Sequence, residues 1–429
     1  MIWVYRIIFL PALLLASPYY LWRMRRRGGY GEAFWQRLGR TVPLPPKRPG
    51  VRRIWLQAVS VGEMLAIGPL LEAIKREGGM EVFLTTTTST GYQLAKEKYP
   101  ALTVGIGYFP LDFWWASERA WWRVQPDLCI LMEGERWPEH VRQAECHGVP
   151  VLSVNARLSD RSYRRSMQFA PFVLALSRGI TRLLCASKGD EQRFKAIGFP
   201  AERLQTTGNL KLDVEIPLLG EADRAKLRKE VGLGDGLVLL GSSTWPGEEK
   251  ALIAALQEAR GKGLDVSLLI VPRHAERREE LRELLAETGL SFHFRSAGVA
   301  PRVVDVAIGD TTGELRKLTQ LADLVFVGKS LAPHDGGQTP VEAAILEKPL
   351  LHGPHMTNFR DIIRGLTDAG AVRKVETHED LVREAVEYLR FPAKRAKLSS
   401  SAHAWHEANR GATERTLAVV RELLAKRVS

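Results

Sequence analysis

Along this chain a short, β-branched apolar run repeatedly ends in small or acidic polar residues, and a segment of helical period follows. Arg53–Ser60 (RIWLQAVS) reads as a strand entering the loop Val61–Gly62–Glu63, with a helix over Met64–Lys75. Val82–Thr88 precedes a helix over Thr90–Lys98, and Leu128–Met132 runs into Glu133-Gly134-Glu135-Arg136-Trp137-Pro138. Val151–Asn155, Leu183–Ser187 and Thr206–Lys211 close this series. After a linker near Pro217–Glu221 a second series begins, with strands at Leu237–Thr244, Val266–Arg273, Val304–Asp310, Leu324–Ser330 and Pro349–Gly353. Such alternation fits a doubly wound parallel sheet, formed twice. The expected fold is α/β: two Rossmann-like domains, 28–216 and 217–429, facing across a cleft. The last helical stretch, about Lys394–Lys426, is expected to return to the first domain. In open α/β sheets ligands gather outside the carboxyl ends of the strands, and the polar clusters above all lie at such ends.

The segment from Asp323 to Met356 is the most pointed of these. Leu324–Val327 ends in Gly328, a loop carries Gly336 and Gly337, and Pro340 opens a helix bearing Glu342. Adjacent glycines before a helix let backbone N–H groups approach a phosphate or sugar, and a glutamate one turn in can bind ribose hydroxyls. That suits the donor side of a nucleotide-sugar enzyme; the plainer reading is an ordinary βα turn. Gly328-Lys329-Ser330 imitates the end of a P-loop, but the glycine that motif needs is Asp323.

The formal charge of +12 favours an anionic partner, whether lipid surface, nucleic acid or phosphorylated substrate. Cys129, Cys146 and Cys185 are widely spaced, and neither CxxC nor HExxH occurs, so no zinc site or disulfide framework is suggested. Met1–Trp22 carries one charge, Arg6, and Arg23, Arg25, Arg26 and Arg27 follow at once. Ile7–Trp22 makes only about 24 Å of helix, short of a full span. The segment spans if Ile2–Tyr5 join it with Arg6 snorkelling, or lies in the interface, as Pro11 and Pro18 would suit. Residues 1–27 are therefore expected to form a membrane anchor with a basic flank. The arginines place the body on the cytoplasmic side and can grip anionic headgroups.

In order along the chain stand AVSVGE (Ala58–Glu63), TTTTSTG (Thr85–Gly91), YFPLDF (Tyr108–Phe113), MEGERWP (Met132–Pro138), NARLSDRS (Asn155–Ser162), GNLKLD (Gly208–Asp213), GSSTWPGEE (Gly241–Glu249), VPRHAER (Val271–Arg277), GDTTGEL (Gly309–Leu315), FVGKSL (Phe326–Leu331), GGQTPVEAA (Gly336–Ala344) and GPHMTNF (Gly353–Phe359). In these segments the chain resembles the bacterial 3-deoxy-D-manno-octulosonic acid (Kdo) transferases, membrane-associated glycosyltransferases of lipopolysaccharide assembly. The resemblance implies a GT-B fold, CMP-Kdo as donor, a lipid A precursor as acceptor, inversion at the anomeric carbon, and action at the inner membrane. It also implies a catalytic carboxylate at Glu63 and a nucleotide-binding Pro-Arg-His at Pro272, Arg273 and His274. Three positions depart from the family's pattern. Lys329 stands where a second glycine is usual, Thr339 where asparagine is usual, and a histidine is common where Trp245 or Pro246 stands.

An acceptor hydroxyl is a weak acid, so a general base is expected, and Glu63 is the candidate. The alternative is that Glu63 only charges a helix N-terminus. Glu133 and Glu135, two apart on an extended chain, would share one face. There they hold an acceptor sugar, stabilise positive charge at the reacting centre, or pair with arginines. The leaving group is a nucleoside monophosphate and no Asp-x-Asp pair occurs, so no metal or other cofactor is expected. Helix N-termini at Ser242, Ser243 and Thr244 and at Gly336, Gly337 and Thr339 should meet the phosphate, with Lys211 and Arg273. Glu342 should bind the ribose. Gly62 and the basic loop of Arg157, Arg161, Arg164 and Arg165 are candidates for the acceptor side; a solvated charge run is the alternative. Trp114, Trp115, Trp121 and Trp122 belong to the membrane interface or the core. Other readings are a GT-B enzyme with another sugar nucleotide, such as a lipid A disaccharide synthase, and a non-catalytic protein binding anionic lipid. Nucleic acid is not expected as a partner.

Overall fold

The computed structural model describes residues 1–26 and 31–426, without the side chains of Tyr20, Leu21, Arg23, Met24, Arg26 and Glu32. Of the basic cluster, Arg27 and the side chains of Arg23 and Arg26 thus lie outside the described residues. The chain forms two compact units, Met1–Glu215 with Asn409–Ser429, and Ile216–Ala408.

The first unit is built on seven parallel strands: β1 (Arg52–Gln57), β2 (Met80–Thr86), β3 (Gly105–Tyr108), β4 (Leu128–Met132), β5 (Val151–Ala156), β6 (Arg182–Cys185) and β7 (Leu204–Thr206). Their order is β3-β2-β1-β4-β5-β6-β7, with every pairing parallel. Helices cover both faces, so the central strands are apolar throughout; all five residues of β4 are buried. The strand order reverses between β1 and β4, where a doubly wound sheet leaves a crevice at its carboxyl edge.

The terminal helical stretch is broken at Gly411, φ +89°, into Pro392–Asn409 and Ala412–Ala425. The second piece belongs to the first unit, where Leu417, Val420 and Leu424 join the core of β1 and β4. Asp213 anchors it: its carboxylate accepts the N–H of Gly411 at 2.8 Å and that of Thr413.

The N-terminal helix, Ile2–Arg26, touches this unit through its first turns. Tyr5 donates to Asp112 Oδ2 at 2.6 Å, and Phe9 stacks on Phe113 at 6.1 Å. Arg6 does not snorkel: it forks onto the fully buried Glu139 at 2.9 and 2.8 Å. Trp3, Ile7, Leu14, Leu15 and Trp22 remain exposed. Of the four tryptophans in question, Trp121 is core, Trp115 half-buried, and Trp114 and Trp122 exposed.

The second unit repeats the architecture with β8 (Leu237–Thr244), β9 (Val266–Pro272), β10 (Phe292–Phe294), β11 (Val306–Ile308), β12 (Leu324–Val327), β13 (Leu350–His352) and β14 (Val372–Lys374). The order is β10-β11-β9-β8-β12-β13-β14, again all parallel. Its reversal lies between β8 and β12.

Candidate active site

The carboxyl edge of the first sheet gathers three glutamates at its point of reversal. After β1, Ser60 caps the helix Val61–Ala66, so Val61, Gly62 and Glu63, expected as loop, form its first turn. Ser60 and Glu63 make a reciprocal cap. Glu63 N–H donates to Ser60 Oγ at 3.3 Å, Ser60 Oγ donates to Glu63 Oε1 at 3.0 Å, and Val59 N–H donates to Oε2 at 2.8 Å. Glu63 is buried, and burial first, then the Glu133 charge, pushes its pKa up against these hydrogen bonds. The helix-terminus reading of Glu63 is thus part of its geometry, and the cap fixes the carboxylate in place.

After β4 the chain does not stay extended. Glu133 has φ +53°, in the left-handed region, and Glu135 N–H turns back to Met132 C=O at 3.3 Å. The expected shared face of Glu133 and Glu135 therefore does not form. Glu133 pairs with Lys211 at 2.8 Å and Arg157 at 3.1 Å. Burial raises its pKa, but these two cations overcome that and hold it below the ordinary value. Glu135 has no such partner among the described residues: burial, then Glu63, then Glu133, push it up to about 7.

Lys211, expected on the donor phosphate, is thereby placed with the first unit's carboxylates. Its segment Leu210–Asp213 is a 3₁₀ turn rather than strand, tied by Leu210 N–H to Asn155 Oδ1 at 3.2 Å. Arg157 is likewise engaged with Glu133, whereas Arg161, Arg164 and Arg165 are exposed on the helix Asp160–Gln168. Sequence reasoning passed over Arg136. Its half-buried guanidinium bonds to no other described residue, and desolvation lowers its pKa.

In the second unit Ser242, Ser243 and Thr244 are the last residues of β8, not a helix N-terminus; the helix starts at Glu248. Ser243 has φ +56°, and the β8–β9 register slips between Ser242 and Thr244. The role of Glu248 is visible only in the fold. Its fully buried carboxylate accepts N–H groups from Trp245 at 2.9 Å, Lys329 at 2.9 Å, Ser330 at 3.0 Å and Leu331 at 3.3 Å. The backbone nest at Gly328-Lys329-Ser330 is thus filled by the protein's own anion, which is why this stretch is no P-loop.

Gly336 and Gly337, φ +106° and +68°, fold the following loop back on β12 through Gly337 N–H to Lys329 C=O and Gln338 N–H to Gly328 C=O, both 3.0 Å. A Cβ on Gly337 would meet Met356 Sδ at 2.3 Å, so only glycine fits. The helix beyond, Val341–Ile345, is short, and Thr339 serves its start. Thr339 Oγ1 accepts Val341 N–H at 3.2 Å and donates to Glu342 Oε2 at 2.9 Å. Glu342 also lies 3.6 Å from Arg316. Pro272 ends β9, and Arg273 and His274 are exposed just beyond it. Arg273 N–H donates to Thr244 C=O at 3.1 Å, and the His274 ring lies 5.4 Å from Trp245.

A family model described as 3-deoxy-D-manno-octulosonic-acid transferase (kdotransferase) matches residues 32–214. The chain is 35% identical over 428 residues to a 3-deoxy-D-manno-octulosonic acid transferase of Bordetella pertussis, covering 96% of this chain and 97% of the relative. It is 31% identical to the Haemophilus influenzae transferase of the same description, covering 98% and 96%. Among solved structures, Anabaena Alr3699/HepE in complex with UDP superposes with a TM-score of 0.61 at 14% identity, over 87% of this chain and 100% of that one. UDP-GlcNAc 2-epimerase from Neisseria meningitidis gives 0.60 at 13%, over 87% and 100%. These structures share the two-domain GT-B-like fold. Full-length identity to the transferases carries more: the chain belongs to the 3-deoxy-D-manno-octulosonic acid transferase family, glycosyltransferases of lipopolysaccharide core biosynthesis.

Proposed function

We propose that this Kdo transferase takes its sugar from CMP-Kdo and delivers it to a hydroxyl of a lipid A precursor at the cytoplasmic face of the inner membrane, with inversion and without a metal. The observation that carries the reading is Glu63, a buried carboxylate pinned by its own helix cap at the reversal point of the first sheet. The acceptor oxygen forms a bond to the anomeric carbon, the bond from that carbon to the CMP phosphate breaks, and the hydroxyl proton passes to Glu63. Positioned proton transfer of this kind is worth about 10²–10⁴-fold. Glu133, paired with both Lys211 and Arg157, forms with them a group of net charge +1 beside Glu63 and Glu135. Arg136 and Arg161 offer unpaired guanidinium groups for the acceptor's phosphates. In the second unit the exposed Arg273 and His274 at the end of β9 serve the nucleotide, and Glu342, held by Thr339, its ribose.

The anchor is read as lying in the membrane interface. Arg6 and Tyr5 hold the start of the helix to the first unit. Its end leads within a few residues to Gly31–Leu38, where Gln36 Oε1 accepts Tyr108 N–H at 2.7 Å. A helix whose first turns are held to the first unit supports in-plane seating, with Trp3, Ile7 and Leu14 toward lipid.

The test is a detergent assay of the purified chain with CMP-Kdo and tetraacylated lipid A precursor, with EDTA present, for wild type and Glu63→Ala. Lipid mass should rise by whole Kdo units with wild type alone. No mass shift from folded wild-type protein would refute the donor–acceptor pair, and activity only without EDTA would refute metal independence.

A further inference from the structure

Lys329 closes β12 with φ +60°, a left-handed conformation that suits glycine better than any residue with a side chain. Its backbone bonds do not ask for lysine. The N–H goes to Glu248 and the C=O accepts from Gly337 N–H, and glycine would make both. The side chain must supply the reason. Its Nζ lies 4.8 Å from the centroid of the Trp245 ring, close enough for the ring face to hold a cation. The residue is half-buried, and among the described residues Nζ pairs with no carboxylate. A Cβ added at Gly336 would stand 3.6 Å from Nζ, so the ammonium lies against the bare backbone of the glycine loop. Trp245 is itself flanked by His334, ring centroids 5.3 Å apart, and its Nε1 is buried with no protein partner, as is Thr244 Oγ1. A half-buried ammonium with no carboxylate partner among the described residues, seated on a tryptophan whose own Nε1 is unsatisfied, is a place built for an oxygen-rich anion.

We propose that Lys329, oriented by Trp245, binds an oxyanion of the sugar nucleotide and sets donor affinity in this chain. The assignment rests on the CMP-Kdo reading above. Two groups of that donor share the chemistry, the phosphate and the sugar carboxylate.

The experiment is titration calorimetry of the full chain in detergent with CMP and with cytidine, beside the KM and kcat for CMP-Kdo. The variants are Lys329→Gly, Lys329→Arg and Trp245→Leu. Lys329→Gly should weaken CMP about tenfold, the scale of a lost charge-assisted hydrogen bond, and leave cytidine unchanged. Its thermal midpoint should not fall, because glycine accepts the backbone angle. Lys329→Arg should recover most of the affinity, and Trp245→Leu should lose about threefold through misorientation. Unchanged CMP binding with a KM for CMP-Kdo raised about tenfold, kcat holding, assigns the lysine to the carboxylate instead. The proposal falls if Lys329→Gly matches wild type in both CMP affinity and KM, or if cytidine weakens as much as CMP. A wild-type protein that neither binds CMP nor transfers Kdo would remove the donor reading itself, and this assignment with it.

Discussion

Replacing Glu135 with glutamine should stabilise the protein at neutral and alkaline pH and much less in acid. Glu135 is pushed from 4.5 to about 7 by burial and by the Glu63 and Glu133 charges. Below pH 4.5 the group is protonated in the folded and unfolded chain alike. As pH rises toward 7, the unfolded chain releases its proton while the folded chain retains it. Stability is therefore greatest below the unfolded pKa and is lost as pH rises through the folded one. The displacement, 7 − 4.5, is about 2.5 pH units, or roughly 3 kcal/mol at pH 8 using 1.36 kcal/mol per unit. Partial exposure of the side chain reduces this to about 1–2 kcal/mol. Glutamine keeps the shape and removes the charge, so Glu135→Gln should raise the melting temperature of this unit by about 2–8 °C at pH 8. At pH 5 the gain should nearly vanish. Thermal unfolding of both proteins in detergent at the two pH values measures it. Glu63→Gln removes the second-largest cause of the Glu135 shift, so it should lower the folded-state pKa of Glu135 toward 4.5 and shrink the pH dependence of stability. An equal effect of Glu135→Gln at both pH values, or destabilisation at pH 8, would refute the account of the cluster.

Glu63→Gln should lower kcat by about 10²–10⁴ while CMP binding, measured by calorimetry, stays within twofold. Ser60→Ala removes a donor that stabilises the Glu63 charge, so the acid limb of the kcat/KM profile should move to higher pH. Arg6→Ala leaves Glu139 buried without its cation and should cost about 3–5 kcal/mol in denaturant unfolding. Adding Glu139→Gln should restore most of that loss; failure to restore it would mean the ion pair is not the cause. Glu248→Ala strips four N–H groups of their acceptor and should lower the melting temperature and abolish CMP binding together.

The alternation of apolar runs and helical periods was enough to expect two parallel sheets, because strands buried on both faces must be apolar along their whole length. Leu128–Met132 is a strand with those bounds, and the strand expected over Leu324–Ser330 ends at Val327. The short edge strands β3, β10 and β14 carried little signal. Gly105–Tyr108 holds two glycines in four residues, and Val372–Lys374 has two charged residues of three. Glu63 is legible as a carboxylate at a strand end, but the cap from Ser60 shows only in the fold. Strand periodicity misplaced Glu133 because it presumes that the chain stays extended past Met132. Lys211 was assigned to the donor from its motif alone. Only tertiary contact reveals Asn155 drawing residue 210 inward and setting the lysine on Glu133. Lys329 and Trp245, read separately as departures from the family's pattern, touch each other across two loops.

Backbone strain marks the same places in both units. Asn155 at the end of β5 and Ser243 near the end of β8 have φ +56°, and each coincides with a register slip against its neighbour. Glu133 and Lys329, just past β4 and β12, are also left-handed. Each such residue costs about 1–2 kcal/mol, which persists only where surrounding bonds over-determine it. Those bonds are visible. Asn155 Oδ1 takes Leu210 N–H, Thr244 C=O takes Arg273 N–H, and Glu248 takes the N–H of Lys329. Hydrogen bonds to charged groups contribute about 1.5–3 kcal/mol each, so one apiece offsets the strain at Glu133 and Lys329. A bulge in return re-aims the strand end. In the first unit the Asn155 contact sets Lys211 on Glu133, and the Glu133 charge still raises the pKa of both Glu63 and Glu135. In the second the bulge turns Thr244 toward Arg273 and leaves Glu248 free to organise the end of β12. Relaxing a bulge by Asn155→Gly would keep the backbone angle but lose the amide. It should therefore free the 208–213 segment and raise the Glu133 pKa while the sheet stays intact.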